Sequence, residues 1–313
     1  ENNTQATVDF NKKISSDFSF DILGGGNIRA NSYEENDQLA PKLAVSGVYT
    51  LSNSRDPLIS SNYFSRLKTY SLFSSAQVGF RNYAFVNLTA RNDWSSTLPT
   101  VNQSYFYPSV NGSLILTQAL DIKSNFLSYA KLRGGWSKVG KATDAYQLIN
   151  TYNIIAPFGS NPQEKAASID LNAGLKPEST TSAEAGIEVG LFNNSVHFDV
   201  SIYNTNSINQ ILSADVSPST GYSKKLINAG KINNKGVEVQ LGLTPVKSKQ
   251  FSWDVILNYS SNRSNVEELD KEGRLQSYVL GSDGTVQVLA AVGQPYGTLF
   301  GTAYLRNASG RII

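Results

Sequence analysis

Val196-His197-Phe198-Asp199-Val200-Ser201-Ile202-Tyr203 alternates apolar and polar residues without a break. Successive side chains of a strand point to opposite sides of the sheet. Val196, Phe198, Val200 and Ile202 therefore share one face, and His197, Asp199, Ser201 and Tyr203 share the other. The same period of two recurs outward in both directions. Ala84, Val86, Leu88 and Ala90 oppose Asn87, Thr89 and Arg91. Ala183, Ala185, Ile187, Val189 and Leu191 oppose Ser182, Glu184 and Glu188. Val237, Val239, Leu241 and Leu243 oppose Glu238 and Gln240, and Val255, Leu257 and Tyr259 oppose Asp254 and Asn258.

The pattern predicts about ten strands, near 6–14, 17–32, 67–81, 83–97, 105–118, 125–139, 181–192, 195–212, 230–245 and 250–267. Several exceed the ~5–6 residues usual in soluble sheets and are long enough for the ~9–11 residues of a tilted membrane strand. Short turns near 15–16, 81–82, 193–194 and 247–250 alternate with long polar segments near 33–66, 98–104, 140–180, 213–229 and 268–313. Short turns at one end and long loops at the other is the layout of outer-membrane barrels, with the long loops outside. The expected fold is therefore all-β, a segment of an antiparallel up-and-down transmembrane β-barrel. A soluble all-β module, such as a surface glycan-binding or adhesin sandwich, is the alternative. It would carry polar residues on its outer faces.

Composition agrees. Charged residues make up 17% of the 313, below the ~25% of soluble domains, and Asn, Ser, Thr and Gly fill the gap. A net charge of +2 gives no field for nucleic acid. The sequence contains no Cys, which excludes disulfides and thiolate metal sites. It begins with Glu1 and carries no recognisable leader, so an internal portion of a longer chain is expected. Trp94, Tyr105, Phe106, Tyr107, Trp136 and Phe192 lie near strand ends, where a barrel places interfacial aromatics, although aromatics are common in strands generally.

Catalytic and cofactor chemistry has little support. The single histidine, His197, has no His or Cys partner for a metal. Gly135 to Lys141 approaches a P-loop but is followed by Ala142 in place of Ser or Thr, and by no amphipathic helix. Glu184 and Glu188 share a strand face about 13 Å apart, too far for a glycosidase pair. The run Gly24-Gly25-Gly26 reads as room for curvature or for another segment's close approach. No enzyme and no cofactor is expected.

Four stretches carry a family resemblance. They are Ala90 to Pro99 (ARNDWSSTLP) with Ser104 to Val110, Leu127 to Gly140 (LSYAKLRGGWSKVG), Leu175 to Gly186 (LKPESTTSAEAG), and Thr220-Gly221-Tyr222 through Asn228-Ala229-Gly230 to Glu238. Together with the tail from Val292–Gly297 to Gly310-Arg311, they resemble the SusC/RagA-like family of TonB-dependent outer-membrane transporters of the Bacteroidetes. The resemblance implies a 22-stranded barrel with an N-terminal plug and an outer-membrane location. It also implies a SusD-like surface lipoprotein as lid, energy from TonB, and import of oligosaccharides or peptides. All of 1–313 then belongs to the barrel domain, with plug, TonB box and closing strands outside it. Arg91, Asp93, Lys131, Arg133, Glu184 and Glu188 would face the lumen, where they either meet cargo or plug or pair with one another. The outer loops 33–66 and 140–180 are expected to be mobile and to meet cargo or lid.

Overall fold

The computed structural model describes residues 1–270 and 272–313. Ten long strands form one antiparallel sheet in which each strand is bonded to its neighbours in sequence. They are β1 (Asn2–Lys13), β2 (Phe18–Leu39), β3 (Ile59–Phe80), β4 (Ala84–Ser95), β5 (Ser104–Ile115), β6 (Leu127–Lys141), β10 (Glu178–Leu191), β11 (Val196–Asp215), β12 (Lys224–Lys247) and β13 (Ser252–Glu268). Every strand expected from alternation is present, in up-and-down order.

The long segments depart from expectation. β2 and β3 continue as paired strands to Leu39↔Ile59, so only 40–58 is a true connection where 33–66 was expected. The 140–180 segment folds its own hairpin, β7 (Tyr152–Phe158) with β8 (Asn161–Ala166), and a short β9 (Ile169–Asp170) parallel to β12. The tail forms a three-stranded sheet of β14 (Ser277–Asp283), β15 (Val286–Ala291) and β16 (Thr298–Phe300). The extensions of β2 and β3 are mostly polar, whereas β7, β15 and β16 are mainly apolar but only three to seven residues long, too short to show a sustained alternation.

At the other end the turns are tight. Arg81 and Asn82 take φ of 47° and 58°, left-handed at both positions as in a type I′ hairpin turn. The Arg81 guanidinium lies 2.9 Å from Asp17 of the preceding turn, which raises its pKa and ties two hairpin ends together.

The apolar face has a sharp upper limit that slides along the sheet. It ends at Ile28 on β2, Tyr70 on β3, Trp94 on β4, Phe106 on β5, Trp136 on β6, Ile202 on β11 and Tyr259 on β13. The register row through Tyr259 runs by Val239, Val200, Ile187, Leu132, Leu114, Ala84 and Phe80 to Phe18. Relative to register, the limit thus falls from Ile28 to the level of Phe18 over the eight strand-to-strand steps from β2 to β13. At about 3.3 Å per residue and about 4.8 Å per step, that slope is a strand tilt of about 40°. Membrane barrels tilt their strands by about 35–45°. A level bilayer crossing tilted strands accounts for the slide.

Aromatics sit along both limits. Trp94, Phe106 and Trp136 point to the apolar side as expected. Phe18 against Phe80 (4.9 Å) and Phe126 against Phe192 (5.1 Å) mark the short-turn limit. Tyr105 and Tyr107 do not join this girdle. Their register against Asp93 and Arg91 puts them on the polar face.

Candidate functional site: the polar face of the sheet

One register row crosses all ten strands on the polar side: Asn11, Asp21, Gln77, Asn87, Asn111, Gly135, Glu184, Tyr203, Gly236 and Asn262. Its centre opens into a cleft of about 340 Å³ bordered by Asn87, Asn111, Lys131, Arg133, Ser182 and Glu184. Glycine at 135 leaves the space. A Cβ there would lie 3.4 Å from the Val110 carbonyl and would collide with the Asn111 amide. The Asn87 Oδ1 beside it is buried and, among the described residues, has no hydrogen-bond partner.

All six residues expected on this face lie there; five of them fall into two groups and the sixth, Glu184, lies outside both. Above the cleft, Arg91 Nε donates to Asp93 Oδ1 at 2.8 Å and its Nη2 donates to Ser71 Oγ at 2.8 Å. The Tyr107 hydroxyl donates to the other oxygen of Asp93. Asp93 is only 7% exposed, so its charge is held by neighbours rather than by water. Below, Lys131 lies 3.7 Å from Glu188, which His197 also approaches at 3.6 Å. Arg133 reaches Asp199 through two bonds of 2.9 and 2.7 Å. This bidentate pair spans β6 to β11 over Gly186 of the intervening strand, where a Cβ would sit 2.9 Å from the guanidinium carbon.

Glu184 stands apart. It is exposed in the cleft and, among the described residues, makes no ion pair. Asp199, Tyr107 and Ser71 were not among the expected site residues. Alternation assigns each to the polar side, but their partners lie 14 to 66 residues away in sequence and only register brings them together.

The quoted sequence stretches converge at the long-connection end. Leu98, Leu175 and Leu226 form a small core with Tyr105, Leu148 and Ile211 around them. Asn102 Nδ2 donates to the Leu175 carbonyl at 3.0 Å, and Ile211 N–H donates to Glu178 Oε1 at 2.9 Å. Asn228 accepts from Lys176 N–H and donates to the Lys176 carbonyl, both at 2.7 Å. The end of the 140–180 segment is thus hydrogen-bonded to the sheet. The Gly135–Lys141 stretch is interior strand of β6, not a phosphate loop.

A family profile described as "TonB dependent receptor-like, beta-barrel" matches residues 1–307. The TonB-dependent receptor P26 of Formosa agariphila is 26% identical over 85% of this chain and 28% of its own length. The TonB-dependent receptor SusC of Bacteroides thetaiotaomicron is 27% identical over 84% of this chain and 27% of its own length. The chain therefore spans under a third of the curated relatives it matches. Among solved structures, the RagAB peptide transporter superposes with a TM-score of 0.80 at 20% identity, over 94% of this chain and 32% of that one. The outer membrane transporter YddB of Escherichia coli gives 0.60 at 11% identity, over 94% of this chain and 37% of its own. The tilted apolar band, the neighbour-to-neighbour strand order and the profile match agree: this chain belongs to the TonB dependent receptor-like β-barrel family of the bacterial outer membrane.

Proposed function

We propose that the chain forms part of the wall of a TonB-dependent importer that takes up oligosaccharides or peptides together with a SusD-like surface lipoprotein. The observation that carries this reading is the polar register row opposite the apolar band. A wall that is greasy outside and rich in amides inside suits a lumen through which a polar, hydrogen-bonding cargo passes. The relatives support the class: one is named SusC, and one solved structure is titled a peptide transporter. Arg91 with Asp93, Lys131 with Glu188, and Arg133 with Asp199 serve this wall as paired lumenal charges. Glu184 and the Asn87–Asn111 cleft are the contacts left over for cargo or plug.

The soluble-module reading is disfavoured by one observation. Val86, Leu88, Ile187, Phe198, Ile202 and Leu257 are 37–57% exposed on a single face. In water so continuous an apolar surface is an aggregation site.

Uptake by cells carrying the complete protein tests the proposal. Uptake of labelled oligosaccharides or peptides should require TonB, the proton gradient and a SusD-like lipoprotein. Undiminished uptake in a TonB-deficient strain would refute it.

A further inference from the structure

Lys235 of β12 and Arg263 of β13 are direct cross-strand partners. Like charges placed opposite each other destabilise a sheet. Both are exposed, and among the described residues neither forms an ion pair. Glu267, the one carboxylate bordering the same surface cleft, is held by Lys231 at 2.7 Å. The pair therefore concentrates positive charge with no carboxylate among the described residues paired to it.

Its position limits what could. Lys235 follows the parity of Val237, Val239 and Leu241, and Arg263 that of Tyr259 and Leu257, so both lie on the apolar side of the sheet. They stand two residues beyond Val237 and four beyond Tyr259, just past the upper limit of the band and toward the long connections. Beside them Asn233 donates to Asn204 Oδ1 at 2.6 Å and to Asn206 Oδ1 at 2.7 Å. That spends the two carbonyl oxygens and leaves the Asn204 and Asn206 amino groups as donors. The surface thus offers two cations and two amide donors directly above a lipid-facing apolar strip.

We propose that this surface binds a phosphorylated lipid of the outer leaflet. Its phosphate would lie between Lys235 and Arg263, and its acyl chains would run down over Val237, Val239 and Leu257. The charge fits an anion. The apolar strip below fits an amphiphile better than a soluble anion or a protein. Other cations follow the same sloping limit: Lys68 covers the Tyr70 ring at 4.8 Å, and Lys138 lies two residues beyond Trp136. The proposal rests on reading the band as lipid-facing and is independent of cargo.

The test is binding of bisphosphorylated lipid A to the complete protein in neutral-lipid nanodiscs, with phosphatase-treated lipid A and inorganic phosphate as separate probes. A cation near the membrane surface contributes about fivefold, so K235Q/R263Q should weaken lipid A binding by roughly thirtyfold. K235R/R263K should retain it, and phosphatase-treated lipid A should bind wild type and K235Q/R263Q alike. Equal lipid A affinity in wild type and K235Q/R263Q would overturn the proposal. So would inorganic phosphate binding at the same concentration as lipid A. Heat-modifiable gel mobility identifies assembled protein. Should K235Q/R263Q fail to assemble, K235Q alone is expected to show about a fivefold loss, and its absence would overturn the proposal equally.

Discussion

Arg133 and Asp199 pair through two hydrogen bonds across an entire intervening strand, and Gly186 is the residue they cross. The two side chains are 30% and 27% exposed, so the pair is partly shielded from water. A planar guanidinium can lie flat only where no Cβ lifts it, and two parallel bonds to a carboxylate need that flatness.

Replacing Gly186 by Val should therefore break the pair while leaving the strand itself β-competent. Because Arg133 is flexible and can swing aside, the expected cost is modest, about 1–2 kcal/mol. In a double-mutant cycle read by urea unfolding in lipid vesicles, Arg133→Ala and Asp199→Ala should couple in the glycine background and lose most of that coupling with valine. Unchanged coupling would remove the role assigned to Gly186.

Gly25 should tolerate substitution far less. A Cβ there would lie 2.7 Å from the Ala6 carbonyl oxygen and 2.7 Å from the Phe73 ring. The ring can move but the backbone cannot. Gly25→Val should cost at least about 2 kcal/mol, whereas Gly24→Val, with nothing within 4 Å, should be near neutral. Outer-membrane yield and unfolding midpoint separate the two.

The loop node makes a prediction about order. Asn228→Ala removes both bonds to the Lys176 backbone and a third to the Asn209 carbonyl. Two of these bonds are exposed and one half-buried, so each contributes about 0.5–1.5 kcal/mol at most. Limited proteolysis should then cut within 142–177 more rapidly than in wild type, while strand protection elsewhere is preserved. An unaltered digestion pattern would count against the node.

The tilt makes a prediction about depth. Ile22 on β2 and Leu257 on β13 lie near the middle of the apolar band on their own strands, yet the register row of Ile22 reaches Arg263 on β13. Arginine at Ile22 or at Leu257 should cost about 2–4 kcal/mol. Arginine at Ser261, above the limit on β13, should cost ~0–1 kcal/mol. Equal penalties along β13 would contradict the tilt.

How much was legible in advance differs by element. Alternation in Val196–Tyr203 and its counterparts located all ten strands and their two faces, because the period-two signal is local and each face meets one solvent. The quoted stretches pointed to the family. Alternation missed the paired extensions of β2 and β3, which are mostly polar, and the β7–β8 hairpin, whose strands are short and whose apolar residues Ile154 and Ile155 are adjacent rather than alternating. Closeness to a strand end, which does not state parity, grouped Tyr105 and Tyr107 with the girdle, although register puts both on the polar face.

The sequence by itself determined that this chain is an antiparallel barrel-type sheet with one apolar and one polar face, and that Arg91, Asp93, Lys131, Arg133, Glu184 and Glu188 share the polar face. Tertiary structure alone decided who meets whom. Asp199 became the partner of Arg133, Glu184 was left without one, and Lys235 was set opposite Arg263. The reason is register. A shift of one strand by two residues preserves every face and every pattern in the sequence, yet replaces every cross-strand partner.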